Sequence, residues 1–132
     1  MSEIIVHITA EVNPTEDPEK VETALENLFS EIEVEFIDQQ RRSFKVAKIS
    51  KKEGIIAFYT LLRKQRILSA ARRKLIKGIS EKQITFYLNK QAAYMGRISF
   101  SEPTGEHPLG SIKVVIECEN AYDLVDWITP RI

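Results

Sequence analysis

Glu3-Ile4-Ile5-Val6-His7-Ile8-Thr9-Ala10-Glu11-Val12 sets the phase from which the fold can be read. Ile4, Val6, Ile8, Ala10 and Val12 recur at every second position, while Glu3, His7, Thr9 and Glu11 occupy the opposite phase. A period of two puts the first set on one face of a strand and the second on the other, which makes a half-buried strand. Asn13-Pro14 ends it. Asp17-Pro18 then reads as an N-cap followed by a proline at the first helical position. Val21, Ala24, Leu25 and Leu28 give that helix one apolar stripe through about Phe29. A strand with one wet face and a helix with one apolar stripe must cover one another.

The same logic extends along the chain. A second strand is expected at Ile32, Val34 and Phe36, with Glu31, Glu33 and Glu35 on the opposite face. Phe44–Ile49 forms a short strand or an extended link. Ser50-Lys51-Lys52-Glu53 matches a capping box, and a long helical region, Glu53–Lys77, ends at Gly78 as its C′ residue. Its length implies two helices or one bent helix, with a break near Gln65–Leu68. Strands follow at Ile84–Leu88, Arg97–Phe100 and Ser111–Glu117, and Glu102–Gly110 is a turn-rich loop. Asn120 caps a final helix, Ala121–Ile128, that partly buries Leu124, Val125 and Trp127. The expectation is one α+β domain over residues 1–132: a two-layer sandwich of a mainly antiparallel sheet with helices packed on one face. The other face is left to solvent or a partner.

Composition excludes several classes. No apolar run approaches the roughly 20 residues of a membrane span. The N-terminus lacks the basic and apolar regions of a secretory signal. Cys118 is the only cysteine, which rules out an intrachain disulfide or a cysteine-based zinc site. The chain reads as cytoplasmic. No P-loop, dinucleotide-binding turn or nucleophile elbow occurs. His7 and His107 show no metal-ligand spacing, and the Glu117/Glu119 pair gives no catalytic signal by itself. Neither a cofactor nor a catalytic residue is expected.

The neutral total charge conceals a sorted one. Residues 1–38 carry eleven acids and one base, residues 39–97 sixteen bases and two acids, and residues 98–132 six acids and two bases. The basic middle is densest at Arg63, Lys64, Arg66, Arg72, Arg73, Lys74 and Lys77, a run without an acid. Arg66 and Arg73 are seven apart, as are Leu61, Leu68 and Leu75, which combines a core-facing stripe with a cationic side. Like charges at neighbouring helical positions repel. Two readings follow. Arginine forks and lysine point charges suit phosphate, pointing to nucleic acid. Alternatively the acidic N-terminal third, with Glu31, Glu33 and Glu35, neutralises the run within the fold or across a homo-oligomer interface. Asn89, Lys90 and Gln91 offer amides and a cation to bases or sugars, or equally satisfy the backbone of a turn. Phe86 and Phe100 share phase with the core, whereas Tyr87 has the opposite phase and is the better stacking candidate.

The run Ile84-Thr85-Phe86-Tyr87-Leu88-Asn89-Lys90-Gln91-Ala92-Ala93-Tyr94-Met95-Gly96-Arg97-Ile98-Ser99-Phe100 resembles a family of small archaeal proteins described as RNA-binding. Leu62–Leu68, Ala71-Arg72 and Pro108–Ile112 carry the same resemblance. It implies a fold like that of the large-subunit ribosomal protein that binds five-S rRNA, and no established catalytic residue. It singles out Arg63, Arg66, Arg72, Asn89, Lys90 and Gln91. The expected function is non-enzymatic RNA binding, with an RNA backbone docked on Arg63–Lys77 and contacts added by the Asn89–Gln91 turn. The alternatives are a homo-oligomeric assembly protein and, with less support, a small enzyme or metabolite binder.

Overall fold

A computed structural model describes residues 3–30, 32–39, 42–101 and 111–131. The loop expected at 102–110, with His107, and the acid Glu31 lie outside the described residues. Strand β1 (Ile5–Val12) lies inside the sheet, with both of its edges paired antiparallel. On one side lies β3 (Arg42–Ile49), with Ile8 opposite Ala47, and beyond it β2 (Val34–Gln39). On the other lies β7 (Ser111–Glu117), with Ile8 opposite Val114, and then β5 (Gln83–Asn89). The outer edge of β5 is shared by two short strands, β4 (Ile79–Ser80) and β6 (Phe100–Ser101). The order is β2-β3-β1-β7-β5-β4, an open antiparallel sheet of an α+β fold.

The alternation in β1 has the predicted outcome: Ile4, Val6, Ile8, Ala10 and Val12 are all buried. Ile112, Val114 and Ile116 of β7 and Ile84, Phe86 and Leu88 of β5 continue that buried face. Helix α1 (Pro18–Leu28) contributes Val21, Ala24, Leu25 and Leu28 to the same core; the Asp17 carboxylate accepts from the Glu19 N–H at 3.0 Å. Helix α5 (Ala121–Ile128) buries Leu124 and Val125, with Asn120 accepting from the Asp123 N–H. Trp127 packs on Tyr59, ring centroids 4.9 Å apart. Phe29, Phe58, Phe86 and Phe100 form a chain of ring contacts through the interior.

The long helical region divides near the expected break. A 3-10 turn (Lys52–Ile55) leads into α2 (Ile56–Lys64), and α3 (Leu68–Lys77) follows after an elbow. Several local expectations are corrected. Ser50 caps nothing, because the 3-10 turn begins behind Lys51 without a side-chain cap. Phe44–Ile49 is a strand and starts earlier, at Arg42. β2 starts at Val34 rather than Ile32, and Phe36 is 49% exposed beneath the Lys45 ammonium because β2 is an edge strand. The strand expected at Arg97–Phe100 is reduced to Phe100–Ser101.

Gly78 follows α3 with φ −88°, outside the left-handed region expected of a C′ glycine. Its reason is close approach: a Cβ there would land on the Thr85 carbonyl oxygen, and Gly78 itself accepts from the Thr85 N–H at 2.9 Å. The glycine lets α3 press against β5.

Candidate functional site

The seven cations of the 63–77 run separate into different environments. Arg63 lies over the Tyr59 ring, 3.4 Å from its centroid, and donates to the carbonyls of Tyr59 and Ile128 at 3.0 and 3.1 Å. Arg72, with its side chain 15% exposed, donates to the Thr129 carbonyl at 2.8 Å and pairs with Asp126 at 2.7 Å. Both arginines therefore hold the C-terminal end of α5, where outward-pointing carbonyls and the helix dipole favour a cation. Lys74 is half-buried on the turn before Gly78.

Lys64, Arg66, Arg73 and Lys77 are exposed and form no ion pair among the described residues. Three acids of the N-terminal third are committed elsewhere. Glu11 pairs with Arg42 at 2.8 Å, Glu22 with Lys45 at 2.9 Å, and Glu16 with Lys90 at 2.8 Å. The hydrogen bond from Arg42, chiefly, lowers the Glu11 carboxyl below its ordinary range. Internal compensation thus operates at Arg42, Lys45 and Lys90, whereas these four cations keep their field.

Arg66 is also conformationally unusual. With φ +57° it occupies the left-handed position of a Schellman motif that ends α2. The Ile67 N–H reaches the Leu62 carbonyl at 3.2 Å, and the Arg66 N–H reaches that of Arg63 at 3.1 Å. Glycine, or at times asparagine, is the usual occupant. The expected seven-residue register from Leu61 to Leu75 is interrupted at this elbow: Leu75 is fully buried, but Leu61 and Leu68 are only partly so. Gln65 fixes the elbow by donating to the Ile98 carbonyl at 2.9 Å and accepting from the Ile98 N–H. That bond brings the exposed Arg97 to the elbow's side of the molecule. Arg97 was not a sequence candidate, because only the tertiary contact associates it with the run.

The Asn89–Gln91 segment is not a free turn. Asn89 caps α4 (Lys90–Tyr94), accepting from the Ala92 N–H at 2.8 Å. Lys90 is 6% exposed and turned inward, donating to Glu16 and to the Glu11 carbonyl at 2.7 Å. Burial works to raise the Glu16 carboxyl, but hydrogen bonds from the Asn13 N–H and Lys90 hold it below the ordinary value. Only Gln91 of the three is exposed.

The remaining groups are structural by their contacts. His7 meets Glu117 at 2.8 Å, and Lys82 meets Glu119 at 3.4 Å. Cys118 is buried, and burial, helped by the charge of Glu119, raises its thiol. Among the described residues no three His, Cys, Asp or Glu gather to hold a metal ion, and no helix is long and apolar enough to cross a membrane.

An open antiparallel sheet backed by helices, with four exposed cations around one helical elbow, defines a small α+β protein. Residues 5–118 match the family model described as RNA binding. The chain belongs to this archaeal family, whose members carry the name UPF0201 protein. It is 40% identical to the UPF0201 protein of Sulfurisphaera tokodaii, over 99% of this chain and 89% of that one. It is 39% identical to that of Sulfolobus acidocaldarius, with the same coverage. The crystal structure of the UPF0201 protein from Methanococcus jannaschii superposes with a TM-score of 0.87 at 36% identity, covering 97% of this chain and 94% of that one.

Proposed function

We propose that this protein is a non-enzymatic, cytoplasmic RNA-binding protein that docks an RNA backbone on Lys64, Arg66, Arg73 and Lys77. Arg97 and Gln91 add contacts at the margin. Arg63, Arg72, Asn89 and Lys90 serve the site indirectly, by holding α5 and α4 in place. The observation that carries this reading is the clustering of four exposed cations on α2, the elbow and α3, none of them in an ion pair among the described residues. Arg42, Lys45, Arg72 and Lys90 are paired with acids, whereas Lys64, Arg66, Arg73 and Lys77 form no ion pair among the described residues. Such a cluster raises the local potential and attracts a polyanion, with shape mattering more than base sequence.

Titration of labelled structured RNA at several salt concentrations tests it. The logarithm of affinity should fall linearly with log salt, by about 0.7–0.9 per neutralised phosphate. Arg73→Ala with Lys77→Ala should weaken binding and reduce that slope by about 1.4–1.8, since two phosphate contacts are lost. Stability should stay within about 0.5 kcal/mol, because both side chains are exposed. An unchanged slope in the double variant would remove this surface. A second reading is favoured by the open edge of β2, where Glu33, Glu35 and Phe36 are exposed. Such an edge can receive a second copy. A particle mass that falls as salt rises would support assembly through charge.

A further inference from the structure

The cleft at the outer edge of β5 takes the RNA reading one step further. β4 pairs only with residues 83–84 of β5 and β6 only with residues 87–88, so neither short strand spans the middle of that edge. A cleft of about 180 Å³ opens there, lined by Lys74, Lys77, Thr85, Tyr87, Phe100 and Ser101 among others. Gly78, also in its lining, brings the end of α3 against Thr85, which places Lys74 and Lys77 beside Tyr87 and Phe100. Its volume is below the roughly 300–1,000 Å³ of pockets that enclose whole small molecules. It therefore suits one ring of a larger ligand better than a free metabolite.

Tyr87 is the distinctive wall. Phe86 and Phe100 are taken up in the ring chain of the core, but the Tyr87 ring makes no ring or cation contact among the described residues. It stands on the sheet face away from the helices. Lys113 lies directly opposite it on β7, and Ser101 opposite it on β6. Lys113 is exposed and, like Lys77, has no ion pair among the described residues. An uncommitted aromatic ring between cations is the arrangement that holds single-stranded nucleic acid: the bases stack while the backbone follows the charge.

The geometry points to a nucleotide subsite in which one unpaired base of an RNA strand stacks on Tyr87 and the flanking phosphates lie on Lys77 and Lys113. This rests on the RNA-binding reading and adds a class to it: RNA with unpaired bases, not continuous duplex. Lys77 belongs to both surfaces, so a strand leaving Arg73 and Lys77 enters the cleft directly.

The test uses a single-stranded oligouridine and a blunt RNA duplex of equal length. Tyr87→Ala should weaken the oligouridine about tenfold, as loss of one base–aromatic stack does, and leave the duplex unchanged. The salt slope should not move, because no charge is lost. Tyr87→Phe should bind like the unaltered protein. Photocrosslinking of 5-iodouridine RNA to the unaltered protein, mapped by mass spectrometry, avoids any folding defect and should label Tyr87. Tight oligouridine binding indifferent to Tyr87→Ala, or crosslinks confined to the 63–77 elbow, would overturn the subsite and leave the backbone-docking reading standing. No salt-sensitive binding of either RNA would overturn both.

Discussion

Arg72 and Arg73 are neighbours in sequence and opposites in the molecule. Arg72 is turned inward, its guanidinium shared between the Thr129 carbonyl and Asp126, while Arg73 faces solvent without an ion pair among the described residues. The same division separates Arg63 and Lys90 from Lys64, Arg66 and Lys77. A cation that meets a helix C-terminus or a buried carboxylate becomes part of the fold. A cation that meets neither retains a field that reaches about 8–10 Å into physiological salt. The basic run is thus two populations, one spent on stability and one available to a partner, and substitutions should separate them.

Lys90 should give the largest separation. Its ammonium and the Glu16 carboxylate are both largely buried, so removing one partner strands the other. Lys90→Ala should cost about 3 kcal/mol by denaturant unfolding, in the range for breaking a buried pair. The salt slope of RNA binding by the remaining folded protein should not change. The pair also sets an acid limit. Glu16 is lowered in the folded state from an ordinary 4.5, so its contribution is fully present above that value. It is lost as pH falls through the lower, folded-state value. Unfolding curves collected from pH 6 downward should show Glu16→Gln less acid-sensitive than the unaltered protein.

Arg72 comes next. Arg72→Ala removes a charge-assisted bond to the end of α5 and should cost about 2 kcal/mol. Arg73→Ala, one residue on, should cost almost nothing. Equal losses in stability for the two variants would break the division, because the inward and outward arginines would then be equivalent.

Much of the architecture was legible because it is set locally. The β1 alternation, the Asp17-Pro18 start of α1 and the Asn120 cap of α5 each depend on residues within a turn or a strand of one another. The site was less legible, because its decisive partners are remote. Arg63 and Arg72 are fixed by carbonyls 65 and 57 residues away, and Lys90 by a glutamate 74 residues earlier. No periodicity encodes such pairings. Gly78 was readable as a helix stop but not as a point of contact with Thr85, since that requires the packing of α3 on β5. Phe36 had the right phase for a core and missed it because edge strands lack a neighbour to cover them. Asn89 had a local signal that could have been used: it is a favoured N-cap residue directly before Lys90-Gln91-Ala92-Ala93, a run of good helix formers.

Arg66 offers the smallest and most discriminating effect, since its charge and its backbone pull in opposite directions. A left-handed conformation costs an L-residue roughly 1–2 kcal/mol, and glycine would remove that cost. Glycine's greater freedom in the unfolded chain returns about 0.5–1 kcal/mol of the gain. Arg66→Gly should therefore stabilise the protein by about 0.5 kcal/mol while lowering the RNA salt slope by about 0.7–0.9. Arg66→Lys should keep both the slope and the strain. A purely structural arginine would behave otherwise: glycine would then leave RNA binding unchanged. Stability gained and affinity lost in one substitution would mean that the elbow holds a cation where the backbone is better served by glycine, as expected of a residue retained for the surface it presents.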